Sequence, residues 1–370
     1  MERRSFVANK ITAALALIGA TFILPGCAYF IGSPLRDVWH SELIEPTSDS
    51  NAVTVTHMGV TTLGISDGKT FILIDGFFSR PNAWDIFWYN PIKSDSDKVE
   101  AGLRMAGTRS TLPQGSDRKW PIPNALFVLH THYDYAFDIV EIAKQAKAAE
   151  PSGKGLKVYG SPSARIILDS GNAQADFIPI RVGQPYKIDD FTITAYEQRH
   201  VHERRRGDKI SGFIEEPVKQ PVRYDAYKQG DVYALKVAYG DKAAFIYGSA
   251  GTLLHCPCEH PGEVDTVFMS LGLLGTQQET FFSRYWAEIA KMQPRRVLPI
   301  HWDNFTRELA TDTLAMRMAP NIADDVPRSF EWLIQSATEM GIEVQVMPLG
   351  KPVPLFAKDS ETRDEPLRKR

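Results

Sequence analysis

The sequence predicts an α/β (α+β) chain built as a sheet-on-sheet sandwich, with strands in two groups and helices covering both outer faces. Three observations carry this. Thr70-Phe-Ile-Leu-Ile-Asp75 is a continuous apolar run ending in a carboxylate, the pattern of a strand buried on both faces. Phe191-Thr-Ile-Thr-Ala-Tyr196 alternates apolar and polar residues with a period of two. Between such runs lie segments such as 137–149 and 279–292, whose apolar residues recur at helical spacing. With 370 residues, 43% hydrophobic and 24% charged, the bulk of the chain belongs with ordinary globular proteins, not with disordered or membrane-embedded ones. One large domain with insertions, spanning 51–350, accommodates that length.

The first 26 residues stand apart from that domain. Arg3, Arg4 and Lys10 make a basic start, Ile11 to Leu24 is mostly apolar but short for a membrane span, and Leu24-Pro-Gly-Cys27 follows. This order resembles a bacterial lipoprotein signal, in which the leader is cleaved before a cysteine that is then acylated. The alternatives are a plain secretory signal or an uncleaved anchor. The resemblance implies a chain held on a membrane surface through Cys27, with 27–50 as a tether. Ala28 in place of Asp implies the outer membrane of the bacterial cell envelope, facing the periplasm. Loss of Arg3, Arg4, Lys10 and Glu2 leaves 39 basic and 44 acidic residues, a net charge of −5. No domain-wide basic excess exists to displace counterions from nucleic acid, so nucleic acid is not an expected partner.

Along the domain, Asn51 to Thr62 alternates β-branched and polar residues, and 70–75 is the buried strand described above. Residues 77–121 carry Phe78, Trp84, Phe87, Trp88, Tyr89 and Trp120 without a clean period, and read as an inserted loop or cap. Phe137 to Ala149 is a helix, Leu156 to Tyr159 a short strand, and Ser161 caps a helix to Leu168. Val232 to Tyr239 and Ala243 to Tyr247 form a hairpin turned at Gly240-Asp241. Val264 to Leu271 is a strand, Glu279 to Met292 an amphipathic helix, and Arg296 to Ile300 a strand. A helix over Ser329 to Met340 and a strand over Glu343 to Met347 close the domain, and 351–370 is a charged tail.

Chemistry concentrates in Phe127-Val-Leu-His130-Thr-His132-Tyr-Asp134-Tyr135, where two histidines and a carboxylate at alternate positions follow an apolar run. Alternation sets His130, His132 and Asp134 on one side of the backbone as the strand ends, so three metal-type ligands converge at its carboxyl edge. Clustered His and Asp of this kind mark metal or catalytic sites more often than packing. Leu254-His-Cys-Pro-Cys-Glu-His260 is a second metal-type tract, but without another Cys pair to complete a four-ligand site it reads equally as a local disulfide or two free thiols.

Taken in order, the strand ending in Asp75, His130-x-His132-x-Asp134, a His after an alternating strand, Tyr247-Gly-Ser-Ala-Gly251 and Pro299-Ile-His301-Trp-Asp resemble the metallo-β-lactamase fold of zinc hydrolases over roughly residues 51–347. The texture is similar to its phospholipase D-like and lactonase-like branches. The resemblance implies a four-layered αββα sandwich with metals at one edge of the sheets. His130, His132 and His200 match ligands of a first metal, with His202 the competitor of His200. Asp134 and His301 match ligands of a second. Tyr135 stands where the motif has a further His, and Ser249 where it has a metal-bridging Asp.

Those two departures leave Asp134 as the sole carboxylate facing two dications, and close, poorly neutralised cations repel. One tightly bound zinc on His130, His132 and His200 is therefore expected, with its fourth position open to water and the second site weak or absent. Asp134 and His301 are the expected catalytic groups, and the expected chemistry is hydrolysis of an ester, lactone or phosphodiester in a small-molecule or lipid-like substrate. Glu203-Arg204-Arg205-Arg206 can receive an anionic group or be a solvated loop. The rival expectation is a scaffold that retains the fold and metal but has weakened or lost turnover.

Overall fold

The computed structural model describes residues 29–110, 120–149, 155–203, 207–254, 260–310 and 312–357. The leader with Cys27, the Cys256 and Cys258 tract, Arg204 to Arg206 and the end of the charged tail lie outside the described residues. Among the described residues fourteen strands form two seven-stranded sheets, ordered β14-β1-β2-β3-β4-β5-β6 and β13-β12-β11-β10-β9-β8-β7. In the first, β1 (Thr54–His57), β2 (Leu63–Ser66) and β3 (Phe71–Ile74) are antiparallel, while β3, β4 (Ala125–Phe127), β5 (Lys157–Gly160) and β6 (Asp176–Pro179) run parallel. The second repeats the plan: β7 (Pro185–Ile188), β8 (Phe191–Glu197), β9 (Tyr233–Tyr239) and β10 (Lys242–Tyr247) are antiparallel. There β10, β11 (Thr266–Ser270), β12 (Arg296–Ile300) and β13 (Glu343–Val344) are parallel.

Successive side chains on these strands enter different cores, which is why the central strands read as unbroken apolar runs. Ile72 and Ile74 join Phe127, Ile193, Leu235 and Phe268 between the sheets. Leu73, Leu126 and Val128 face the other way, onto helices Ser96–Ala106, Ile139–Ala149 and Pro162–Ser170. On the far side, Phe245, Val267 and Val297 meet helices Glu279–Lys291 and Val326–Met340. Each fully buried Phe or Leu of these layers contributes about 1.5–3 kcal/mol. The result is the four-layered αββα sandwich. Among the described residues no helix is long and apolar enough to cross a membrane.

Three boundaries differ from the sequence expectation. Residues 27–50 are more than a tether, because Leu35 and Trp39 are buried and Trp39 packs on Phe330. Within 351–370, β14 (Pro352–Pro354) pairs with β1, so the first sheet closes beyond residue 350. Residues 77–121 are not a plain loop. Helix Ser96–Ala106, capped by Asp95, buries Val99, Gly102, Leu103 and Ala106 at i, i+3, i+4 and i+7.

The two sheets are tied near the strand ends by a fully buried ion pair. Arg80 donates to Asp303 at 2.6 Å, with the side chains only 2% and 0% exposed. The other Asp303 oxygen accepts the Val60 N–H at 2.7 Å. Beside them His57 is buried and hydrogen-bonded to the Val60 carbonyl at 3.1 Å. Burial lowers its pKa to about 4, although Asp303 pulls it upward. Unfolded, His57 takes up its proton near pH 6.5, so between pH 6.5 and 4 the unfolded chain binds more protons and the fold loses stability as pH falls. This single ring then accounts for about 2 kcal/mol of loss by pH 5. Urea unfolding of the wild type at pH 7 and pH 5 is expected to show that loss, and His57→Gln to reduce it.

Candidate metal centre

The metal-type residues collect where β4, β8 and β12 deliver their chain at the same edge of the sandwich. Beyond β4 the backbone is no longer strand. Leu129 N–H donates to Asp75 at 2.8 Å, Thr131 N–H to the Gln229 carbonyl at 2.9 Å and the Thr131 hydroxyl to the Lys228 carbonyl at 2.6 Å. A short helix, Tyr133–Ala136, then begins directly after His132. The alternation expected to hold Asp134 beside His130 and His132 is therefore replaced by a strand-to-helix turn, which places Asp134 in a first helical turn. There its charge is favourable.

His200 follows β8 in a loop clamped against the turn after β10. Gln198 accepts the Gly248 N–H and donates to the carbonyls of Ser249 and Gly251, and Arg199 N–H reaches the Thr252 carbonyl at 2.8 Å. A Cβ at Gly251 would stand 2.2 Å from the Arg199 carbonyl oxygen, so only glycine permits this approach. The Ser249 hydroxyl accepts Val201 N–H at 3.2 Å, and so braces the His200 loop.

These constraints bring His130, His132 and His200 together, with one ligand-type nitrogen from each within 4.8 Å of the others. His202 does not join them, and its carbonyl accepts from Gln277. Ring contacts define the donor atoms. His132 uses Nε2 on the Ile210 carbonyl at 3.2 Å and His200 uses Nδ1 on the Val201 carbonyl at 2.6 Å, leaving His132 Nδ1 and His200 Nε2 as lone-pair donors. His130 Nε2 faces His132 Nδ1 at 3.2 Å, and His130 Nδ1 is buried without a partner among the described residues.

Burial lowers the pKa of all three rings. It takes His130 well down, with the neighbouring imidazoles adding to it, and His200 to about 3. Three neutral imidazoles facing one another suit a cation and not a proton, so the donor set fits a metal.

Asp134 and His301 do not enter this cluster but pair with each other, His301 Nε2 to Asp134 at 3.3 Å. Burial pulls the His301 pKa down, but the hydrogen bond and charge of Asp134, with Asp303 and Asp324 behind, outweigh it and hold the ring above its ordinary value. His301 adopts φ 58 as its N–H donates to the Val60 carbonyl at 2.8 Å, and a Cβ on Gly272 would lie 2.8 Å from its ring. Tyr135 stacks 3.6 Å from the His130 ring centroid and 5.6 Å from that of His301. Burial, reinforced by Asp134 and Asp75, pushes its hydroxyl far above the usual tyrosine range, so it stays a neutral phenol and offers no anionic ligand.

Arg80, Gln198 and Gly272 support the centre without sequence signals of their own, whereas Asp303 belongs to the Pro299-Ile-His301-Trp-Asp segment. Tyr133, the residue after His132, lies 5.4 Å from Tyr224 and 6.1 Å from Phe305 in the aromatic part of the buried cluster beside the centre. A surface depression of about 500 Å³ lined by Val38, Arg328, Phe330 and Glu331 shares no residue with the histidine centre.

No protein-family model matches the chain. A UPF0173 metal-dependent hydrolase of Pyrobaculum neutrophilum is 23% identical over 187 residues, covering 50% of this chain and 67% of that protein. Among solved structures, Igni18, a metallo hydrolase from Ignicoccus hospitalis, aligns with TM-score 0.44 and 16% identity over 81% of this chain and 97% of its own. The metallo-β-lactamase fold protein YhfI from Bacillus subtilis aligns with TM-score 0.44 and 15% identity over 81% and 99%. A possible metal-dependent hydrolase from Veillonella parvula aligns with TM-score 0.47 and 14% identity over 82% and 100%.

Proposed function

We propose that this chain is a zinc-dependent hydrolase of an ester, lactone or phosphodiester, held on the bacterial envelope through acylated Cys27. The observation that carries the reading is the convergence of three neutral histidine nitrogens beside a buried Asp134–His301 pair. His130, His132 and His200 would hold the zinc, which when bound supplies Lewis acidity and lowers the pKa of its water towards about 7.

Around it the chain's own groups divide the proton work. Asp134, with one oxygen engaged by His301, accepts the proton of the attacking water. His301, whose pKa Asp134 raises, donates to the departing oxygen. Tyr133, Tyr224 and Phe305 pack as a buried aromatic cluster beside His132 and shield that side of the centre from bulk water. Asp134→Asn keeps all three histidines, so it is expected to retain zinc while lowering kcat by about 10²-fold, the scale of one acid–base group. Zinc content and turnover on a panel of lactones and phosphodiesters measure both. Retained zinc with no turnover of any substrate by the wild type would favour the non-catalytic scaffold, which the replacement of two usual ligands by Tyr135 and Ser249 supports.

A further inference from the structure

We infer that the aromatic face of the short helix Ala83–Phe87 and its flank is a docking surface for a lipid bilayer, seating the mouth of the metal centre on the membrane. Trp84, Phe87 and Trp88 are 68%, 59% and 55% exposed. Their i, i+3, i+4 spacing sets them on one face, where the rings pack on each other at 5.4 and 5.1 Å instead of on the core. Ile86 and Tyr89 take the inner side and pack against the buried cluster. Fixing three large aromatics outside the core costs a folded chain apolar surface, and Trp side chains have their preferred environment at a membrane interface.

Two lysines flank the patch. The Lys209 ammonium and the Arg223 guanidinium each sit 4.8 Å from the centroid of the Tyr89 ring, next in sequence to Trp88. Lys93 is exposed nearby in the chain. Asp85 is hydrogen-bonded by the neutral amides of Asn82 and Asn90 and keeps its charge, and Arg223 is paired with Asp225 at 2.5 Å, so Lys209 and Lys93 are the cations available to a headgroup. Aromatics flanked by cations complement anionic headgroups. The three aromatic side chains expose roughly 350 Å² together, from about 150–250 Å² each, well under the roughly 800 Å² per partner of a stable protein interface. That area favours a bilayer over a second copy or a partner protein.

Ring contacts beneath the patch lead to the site. Tyr89 packs 5.3 Å from Tyr224, which packs 5.4 Å from Tyr133, the residue after His132. Lys209 precedes Ile210, whose carbonyl holds the His132 ring. The amino-terminal end of the fold reaches the same region, since Asn304 donates to the Ile31 carbonyl while its own carbonyl accepts from Arg80, three residues before Ala83. Tyr29 and Phe30, 45% and 65% exposed, follow Cys27 by two and three residues. An acyl group at Cys27 would hold this rim, and not the opposite end of the sandwich, against the bilayer.

The test uses the chain from Ala28 to Arg370 without an acyl group, which retains every strand of both sheets. It is mixed with vesicles of phosphatidylethanolamine and phosphatidylglycerol, and separately with phosphatidylcholine vesicles. Expected are co-sedimentation with the anionic vesicles, a blue shift of tryptophan fluorescence, and at least a tenfold loss of vesicle affinity in Trp84→Ser/Phe87→Ser/Trp88→Ser with unchanged melting temperature. Trp84→Ser alone, expected to lose about threefold, serves if the triple variant fails to fold. No vesicle binding, binding untouched by the substitutions, or a dimer that the triple variant dissolves would each overturn the inference. Vesicle binding is read without turnover, so an inactive protein would count against the hydrolase reading and leave this one intact.

Discussion

His132→Ala is expected to reduce zinc from about one per chain to near none and to lower turnover by at least about 10³-fold, the rate equivalent of roughly 4 kcal/mol. The effect is large because His132 occupies the centre of the arrangement: its Nδ1 faces His130, its Nε2 is fixed by Ile210, and its ring lies 4.7 Å from that of His200. Two remaining imidazoles leave a coordination set below that of known zinc sites. The fold should survive, since the ring sits at the edge of the sandwich and is not part of the layered core. Metal analysis and circular dichroism of the purified variant separate loss of the site from loss of structure. Full zinc content in His132→Ala would show that the metal is held elsewhere.

Arg80→Met is expected to lower the stability of the fold by about 3–5 kcal/mol, because it leaves Asp303 buried without its cation. For a domain of this size that is a fall of about 5–8 °C in melting temperature. The same substitution frees the carbonyls of Met58 and Arg307, which Arg80 also caps. Asp303→Asn leaves Arg80 buried without its anion but keeps an acceptor for Val60 N–H and the carbonyls of Met58 and Arg307 as acceptors for the guanidinium, so it should cost less than Arg80→Met. Turnover should fall in both, as Asp303 lies two residues after His301 and both are tied to Val60. Calorimetry of the zinc-loaded variants gives the order. A melting temperature within 2 °C of wild type for Arg80→Met would refute the assigned role.

How much of this was legible in the sequence depended on how local the signal was. His130 and His132 are two residues apart, and the late His301 follows a strand that any apolar run announces. His200 was separable from His202 by strand-edge position, since β8 ends at Glu197 and Val201 turns inward to a buried place. The reason given for Asp134 did not transfer, because alternation holds only while the strand lasts and β4 stops at Phe127.

Helix Ser96–Ala106 carries a weak sequence pattern because Gly102 interrupts its apolar face. The ring of Phe78 would lie 2.2 Å from a Cβ there, so contact with a residue far earlier in the chain determines that choice. The Arg80–Asp303 pair joins positions 223 apart and has no local pattern at all. Strands as short as β6 and β13 gain their stability from neighbours in the sheet, not from their own sequence.

The account rests on a single metal held by three histidines, with Asp134 and His301 left free to move protons. Metal content per chain, measured after zinc loading and removal of excess, tests it most directly. One zinc per chain, lost in His200→Ala and retained in Asp134→Asn, is the expected result. Two zinc ions per chain, or one that survives His200→Ala, would contradict it.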